Sequence, residues 1–354
     1  MNRKQSFWLG PFALCCLVSI GPRPAAAQQP PRDTSAVTPA AHHTATKKST
    51  AYSAARSQTR KTKLAQARAV ATAREMASTI VPRYKVDGSG ELVPDLRAAA
   101  AIIYDPETNQ VLWEEHSQDQ RSIASITKMM TATVFLEDNP NMSEQVTMAR
   151  SDVFQASTTH LHANDKVSTD DLLHLLLIAS DNAAARALAR VSKWGSDGFV
   201  LRMNSKAAEL GLQNTHYADP SGLLSENVSS AYDMARLITH VSGDDRIASV
   251  MRTPEYTVWT QNKIRRPIAF HSTDHLLGRP DIDVRAGKTG FISKAGYCLA
   301  TLLRMPDGGP QVAVVVLGAR SNAGRFMETE NLFSWMSSKA STLFAAKPTT
   351  QQQQ

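Results

Sequence analysis

A serine and a lysine three residues apart, Ser125 and Lys128, have the types and spacing that nucleophilic catalysis needs. Apolar residues at helical spacing predict a helix over residues 123–136, which puts both side chains on one helix face. A serine at a helix start has its amide in the positive helix terminus, where an oxyanion is stabilised. A neutral lysine can take the hydroxyl proton, and burial or a second nearby cation favours the neutral amine.

A second polar motif, Ser180-Asp181-Asn182, directly follows an apolar segment that predicts a buried helix over 172–179. A hydroxyl at this place can relay a proton to a leaving group, and the amide can hold both a lysine and a substrate carbonyl. Residues 225–227 repeat the S-x-N pattern but lie in a polar turn. We therefore favour Ser180 and Asn182 as the functional pair.

The third motif, Lys288-Thr289-Gly290, stands at the end of a predicted strand. A fixed ammonium and a hydroxyl on an edge strand can bind a carboxylate of the substrate, and Gly290 allows the substrate backbone to approach closely. A phosphate-binding loop is a rival interpretation of the Gly-Lys-Thr sequence. That loop needs a glycine five positions before Gly287, where the sequence has Ile282, so the rival is excluded.

The elements that position these motifs follow from the hydrophobic periodicity. Turn residues at 105–109 join two short β runs, and a capping box at 168–171 opens the buried helix. The predicted strands cover 99–104, 110–113, 256–260, 283–287, 296–304 and 312–317, and the predicted helices cover 123–136, 172–179, 183–191, 198–210, 231–241 and 324–344. This order predicts an α+β fold, an antiparallel β-sheet flanked by helices with an inserted helical subdomain.

Charge is distributed unevenly along the 354 residues, whose formal net charge is +7. Residues 1–75 hold 12 of the 39 Lys and Arg but only 2 of the 32 Asp and Glu. The rest is slightly acidic, which argues against nucleic-acid binding by the folded part. Segment 28–96 is predicted to be a basic, largely disordered linker. It either touches an anionic wall or membrane surface or serves as a solvated spacer.

The first 27 residues have the pattern of a secretory signal peptide, with a basic start, a short apolar stretch and three alanines at the cleavage site. An uncleaved N-terminal anchor is the alternative, although the apolar stretch is short for a bilayer. Cleavage leaves Cys298 as the sole cysteine, and its apolar neighbours predict a buried thiol. We expect a secreted, periplasmic protein with its folded domain at 97–345 and a polar tail at 346–354.

The three motifs, in this order, resemble the signature of the serine-type D-Ala-D-Ala peptidases, the low-molecular-mass penicillin-binding proteins. The likeness extends over about residues 97–344 and includes the segments 124–132, 219–223 and 295–298. It implies a β-lactamase/transpeptidase-like fold. Within the family, the sequence is most similar to the D-alanyl-D-alanine endopeptidase branch.

The resemblance implies a complete catalytic and binding set. Its catalytic members are an acylated nucleophile, a base and a proton relay, which are Ser125, Lys128 and Ser180. Its substrate-binding members are Asn182, Lys288, Thr289 and Gly290. The backbone N–H groups of Ser125 and Phe291 form the oxyanion hole. We expect no metal and no cofactor, because the histidines at 160, 162, 271 and 275 lack the spacing of metal ligands.

The implied reaction is hydrolysis of peptidoglycan stem peptides, with β-lactams as covalent inhibitors and no nucleic-acid partner. Two departures from carboxypeptidase relatives favour cleaving crosslinks over trimming a terminal D-Ala. No second β domain or amphipathic anchor helix follows the sheet, and no Arg stands between Pro306 and Ala319. A D,D-carboxypeptidase and a non-catalytic wall-binding module are alternative functions that the sequence does not exclude. A β-lactamase is a further alternative, although the deacylating Glu of class A enzymes, expected before x-x-Leu-Asn, is not found between Asn182 and Lys288.

Overall fold

The structure is a computed structural model that describes residues 81–345 and scattered positions between 62 and 77, which are helical. The signal sequence predicted for 1–27, most of the predicted linker and the tail at 346–354 lie outside the described residues. Within the part that is described, no helix is long and apolar enough to cross a membrane.

The strands and helices alternate in blocks along the chain. The strands are β1 (Tyr84–Val86), β2 (Leu92–Pro94), β3 (Ala100–Asp105), β4 (Gln110–Glu115), β5 (Arg121–Ser122), β6 (Gln145–Thr147), β7 (Lys166–Ser168), β8 (Val228–Ser229), β9 (Glu255–Trp259), β10 (Pro267–His271), β11 (Asp283–Ile292), β12 (Gly296–Arg304) and β13 (Gln311–Ala319). A 3-10 helix spans Ala124–Thr127. The α-helices are α1 (Lys128–Leu136), α2 (Arg150–Val153), α3 (Thr169–Leu177), α4 (Asn182–Val191), α5 (Gly195–Glu209), α6 (Ala231–Ser242), α7 (Asp245–Met251) and α8 (Asn322–Ala345).

A five-stranded antiparallel sheet, in the order β11-β12-β13-β3-β4, forms the centre of the fold. Strand β13 shows why its sequence is a continuous apolar run. Successive side chains of a strand point to opposite faces. Ala313, Val315 and Leu317 pack with the helical block, while Val314 and Val316 pack with α8. The sheet is therefore covered on both faces, and the predicted α+β architecture with inserted helices is confirmed.

Two predicted motif elements are present, but their geometry or bounds differ from the prediction. The helix expected over 123–136 begins with the 3-10 turn, because Ala124 has φ 50° and α-helical geometry starts only at Lys128. The strand expected over 283–287 continues to Ile292, so the Lys288 motif lies within β11 rather than at its end. It does lie on an edge strand, as expected.

The folded region begins earlier than the predicted boundary at residue 97. Strands β1 and β2 pair as an antiparallel hairpin. The indole of Trp335 in α8 donates to Leu92 O at 3.2 Å, and the backbone N–H of Ala98 donates to Glu328 Oε2 at 2.9 Å. The last residues of the predicted linker are thus attached to α8.

Candidate active site

The backbone around Ser125 is pressed between two other chain segments at glycine positions. A Cβ on Gly222, whose φ is +79°, would lie 2.1 Å from Ala124 O. A Cβ on Gly290 would lie 2.7 Å from Ile123 O and 3.1 Å from Ser125 N. Contacts this short exclude any side chain at either position. The turn that presents Ser125 is therefore held between the loop at Gly222 and edge strand β11.

Lys128 lies directly beneath Ser125, at the first residue of α1, and its side chain is fully buried. Its Nζ donates to Ser125 Oγ at 2.9 Å, to Asn182 Oδ1 at 2.6 Å and to Ser221 O at 2.6 Å. Three acceptors fix the amine in position. The nucleophile–amine distance is within hydrogen-bonding range for proton transfer.

Burial lowers the pKa of Lys128 from 10.5 to about 7. The carboxylates of Asp219 and Asp181 offset part of this effect, and the cation of Arg186 adds to it. Taking an ammonium out of water disfavours its charged form. A substantial fraction of Lys128 is therefore neutral near pH 7, which is the form that can accept a proton.

The second motif lies at the junction between α3 and α4. Ser180 has φ 58°, in the left-handed region that residues other than glycine rarely adopt. Asp181 caps α4 by accepting Ala184 N–H at 3.0 Å. The Asn182 amide is fixed at both ends, since its Nδ2 donates to Ala156 O at 2.7 Å while its Oδ1 accepts from Lys128. The left-handed conformation of Ser180 and the cap at Asp181 together place the side chains of Ser180 and Asn182 in the same cleft.

The third motif meets the second through its amine. Lys288 is fully buried, and its Nζ donates to Ser180 Oγ at 2.9 Å and to Thr289 O at 3.0 Å. The pKa of Lys288 is well below its usual value because of burial and then the nearby cations Lys128 and Arg325, although Asp274 partly opposes them. Motifs up to 163 residues apart in sequence thus converge through two hydrogen-bonded amines.

A cleft of about 440 Å³ opens above these groups. Ser125, Ser180, Asn182 and Thr289 line it, and the two lysines lie beneath. Phe291, at the cleft wall, is 49% exposed and stacks on Tyr297 with a 4.2 Å ring-centroid distance. The cleft therefore presents hydroxyls, an amide and an aromatic surface to a ligand.

Sequence reasoning missed several residues of the cleft wall, and two of them contact the third motif directly. Thr273, just after β10, has its Oγ1 2.6 Å from Thr289 Oγ1. Arg325, near the start of α8, donates from Nη1 to Gly290 O at 3.1 Å and to Cys298 O at 3.2 Å. Both come from elements remote in sequence, and no local pattern marks them. The sequence has no Arg between residues 306 and 319, but Arg325 supplies a guanidinium to the cleft wall.

Asn227 and Cys298 are both buried and have structural roles. Asn227 of the second S-x-N pattern is buried and braces the loop that contains Ser221, because its Oδ1 accepts Ala218 N–H at 3.1 Å and its Nδ2 donates to Leu224 O at 3.0 Å. Cys298 is buried as predicted, and burial raises the pKa of its thiol to about 11. Such a thiol is inert at neutral pH.

Comparisons with known proteins support one family. Residues 87–321 match the Peptidase S11 family, described as D-alanyl-D-alanine carboxypeptidase. The D-alanyl-D-alanine endopeptidase of Escherichia coli is 32% identical over 245 residues, which cover 69% of this chain and 78% of that protein. The D-alanyl-D-alanine carboxypeptidase DacA of E. coli is 30% identical over 69% of this chain and 61% of its own. The crystal structure of the Streptomyces K15 DD-transpeptidase superposes with a TM-score of 0.63, at 28% identity, over 68% of this chain and 97% of its own.

Proposed function

This chain belongs to the Peptidase S11 family of serine hydrolases, and from that premise we propose that it hydrolyses D-alanyl peptide bonds of peptidoglycan through an acyl-enzyme on Ser125. The observation that carries this proposal is the 2.9 Å contact between Lys128 Nζ and Ser125 Oγ. That amine has a pKa of about 7 in a site where the three motifs meet.

Acylation begins when neutral Lys128 takes the proton of the Ser125 hydroxyl. The Ser125 oxygen then attacks the carbonyl carbon of a D-alanyl residue, and the carbonyl oxygen becomes an oxyanion. We assign its stabilisation to the N–H groups of Ser125 and Phe291, since β11 lies directly against the Ser125 amide. The C–N bond breaks, and the leaving amine takes a proton through the Ser180 hydroxyl. Water then attacks the ester, which releases the acid and restores Ser125.

Substrate is held by groups on both sides of the nucleophile. The Asn182 amide is fixed by Ala156 O and faces the cleft, so it is suited to the acyl-side peptide. Thr289 and Gly290 line the cleft and Lys288 lies beneath them, and we propose that these three residues bind the carboxylate-bearing part of the substrate. Edge strand β11 also offers its backbone to an extended peptide.

We propose cleavage of crosslinks, rather than trimming of a terminal D-Ala, as the main activity. The endopeptidases of E. coli and Pseudomonas aeruginosa match this chain over 78% and 79% of their length, whereas the carboxypeptidase DacA of E. coli matches it over 61% of its own. Arg325 is the guanidinium at the cleft wall, but its Nη1 already donates to two backbone carbonyls. Both Nη1 hydrogens are therefore committed to the sheet, which leaves fewer donors of this guanidinium for a free terminal carboxylate.

Export to the periplasm, removal of residues 1–27 and the linker–domain division are proposed on the sequence pattern, with the domain start moved back to the β1–β2 hairpin. Peptidoglycan substrates lie outside the cytoplasmic membrane, so export is required by the proposed reaction. β-Lactams, whose strained amide resembles the scissile bond, are expected to acylate Ser125 and to leave slowly.

Chromatography of defined muropeptides tests this proposal. Incubation with a crosslinked dimer should give two monomers, at a rate about tenfold or more above D-Ala release from a monomeric pentapeptide. The Ser125→Ala variant is the control and should release neither product. Faster D-Ala release than crosslink cleavage would contradict the endopeptidase assignment, and no reaction with either substrate would contradict the peptidase.

A further inference from the structure

A two-stranded hairpin connects the wall of the cleft to an exposed loop. Strands β9 and β10 pair in register, and Ser272 N–H donates to Pro254 O at 2.7 Å at the hairpin base. Thr273 follows immediately and lines the cleft. The loop at residues 260–266 lies at the other end, and five residues of strand span about 17 Å. The loop therefore lies far enough from the cleft to contact a polymer while one peptide branch of that polymer occupies the cleft.

The end of this hairpin carries an unusual set of exposed side chains, Trp259, Lys263, Ile264 and Arg265, which we call the basic tip. Trp259 is 48% exposed and Ile264 is 87% exposed. The Arg265 guanidinium carbon lies 5.9 Å from the Trp259 ring centroid. Lys263 and Arg265 are exposed and make no ion pair within the described part of the chain. The tip therefore offers free positive charge beside an aromatic ring.

The surroundings do not neutralise this charge. The neighbouring cation Arg266 is paired with Asp165 at 2.6 Å, so this carboxylate is already engaged by another cation. Exposed Lys166 adds a further cation, since its backbone N–H donates to Asn262 Oδ1 at 2.9 Å within the same loop. The body of the protein is slightly acidic, so this local excess of positive charge stands out. Such a patch attracts a polyanion.

We propose that the basic tip is an exosite for the polymeric wall substrate, an anionic glycan–peptide network, and that it holds this network while one stem peptide occupies the cleft. This inference rests on the proposed function. Carboxylates of neighbouring stem peptides pair with Lys263 and Arg265, and the apolar face of a sugar ring packs on Trp259.

An anionic membrane surface is the rival occupant. Interfacial anchoring requires a larger apolar area than the two exposed side chains of Trp259 and Ile264 provide. The hairpin also leads directly into the cleft wall at Thr273, which links the basic tip to the substrate rather than to a surface remote from it. The wall polymer is therefore the better match.

Comparing the cleavage rate on intact sacculi with the rate on a soluble crosslinked muropeptide separates the role of the basic tip from that of the cleft. In the variant Lys263→Glu/Arg265→Glu, the rate on sacculi should fall about tenfold at low ionic strength, while the rate on the muropeptide stays within about twofold of wild type. The loss should shrink at about 0.5 M salt, where surface charges are screened.

A charge-matched control is Lys193→Glu/Lys339→Glu. These lysines pair with Asp138 and Glu91 at exposed sites on other elements. Reversing these charges removes two ion pairs at the surface and places each new Glu beside an acidic side chain, and both effects are small where the charges are solvated. The control should keep the wild-type rate on both substrates.

Binding gives a readout that does not need catalysis. In a Ser125→Ala background, sedimentation with sacculi should show weaker binding for the double-charge variant at low salt. Trp259→Ala should weaken binding at low and high salt alike, since ring packing is not screened. A loss of binding to sacculi supports the exosite even if the wild type cleaves neither substrate and the proposed function fails, because this readout does not depend on turnover.

Three results would overturn the exosite. Equal loss on sacculi and muropeptide would mean that the basic tip acts on the cleft itself. Unchanged binding and cleavage of sacculi would mean that the tip does not contact the polymer. Unchanged behaviour with sacculi together with lost binding to phosphatidylglycerol vesicles would assign the tip to a membrane surface.

Discussion

Replacing Lys128 by Arg should lower the rate of Ser125 acylation about 10³-fold or more. The guanidinium stays protonated at any accessible pH, so it cannot take the serine proton. The wild-type side chain is fully buried against three oxygen acceptors, and the pKa of about 7 keeps part of it neutral. Fluorescent penicillin labelling over time measures the rate directly.

The pH dependence gives this prediction a sign. Protonated Lys128 is inactive as a base, so the wild-type acylation rate should rise as pH increases through about 7 and then level off. Lys128→Met, which introduces no charge, is the matched variant and should lose the same rising limb. Thermal unfolding checks that both variants fold. Acylation in Lys128→Arg above about a tenth of the wild-type rate would mean that another group is the base.

Lys288→Met should lower kcat/KM for a stem-peptide substrate about 10²-fold or more. The Lys288 amine donates to Ser180 Oγ at 2.9 Å and to Thr289 O at 3.0 Å, so its loss releases the proton relay and the carboxylate-binding wall together. Steady-state kinetics on a crosslinked muropeptide measure this effect.

The melting temperature of Lys288→Met should not fall although its activity does. Lys288 is buried beside the cations Lys128 and Arg325, which oppose its protonation. An apolar side chain of similar length removes the cost of burying this amine, so the melting temperature should stay the same or rise. Lys294→Met, an exposed lysine between β11 and β12, is the control and should keep full activity. Full activity in Lys288→Met would remove Lys288 from the proposed mechanism.

The regular elements were predictable because their patterns are local. The capping box at 168–171 is formed as expected, with Ser168 Oγ accepting Asp171 N–H at 3.0 Å. The continuous apolar runs at 296–304 and 312–317 correctly indicated β12 and β13. Strand β10 was missed because it begins with Pro267, which disfavours a strand assignment. The β1–β2 hairpin was missed because its three-residue strands are mostly exposed and carry no apolar periodicity.

The meeting of the three motifs was predictable only from their co-occurrence, since no spacing rule links residues so far apart. Tertiary packing decided the remaining details. The positive φ of Ala124 accompanies its close contact with Gly222, a residue nearly 100 positions away, and this gives the 3-10 turn at Ser125. Arg325 reaches the cleft from α8 because that helix packs on the sheet. Neither feature has a signal in the neighbouring sequence.

Intact-mass spectrometry after exposure to benzylpenicillin tests the central claim, that the hydroxyl of Ser125 is the group that becomes acylated. The wild type should gain the mass of one complete penicillin, because opening the β-lactam ring releases no leaving group, and peptide mapping should place the adduct on Ser125. The Ser125→Ala variant should gain no mass. An unmodified wild type, or an adduct that persists in Ser125→Ala, would contradict the account.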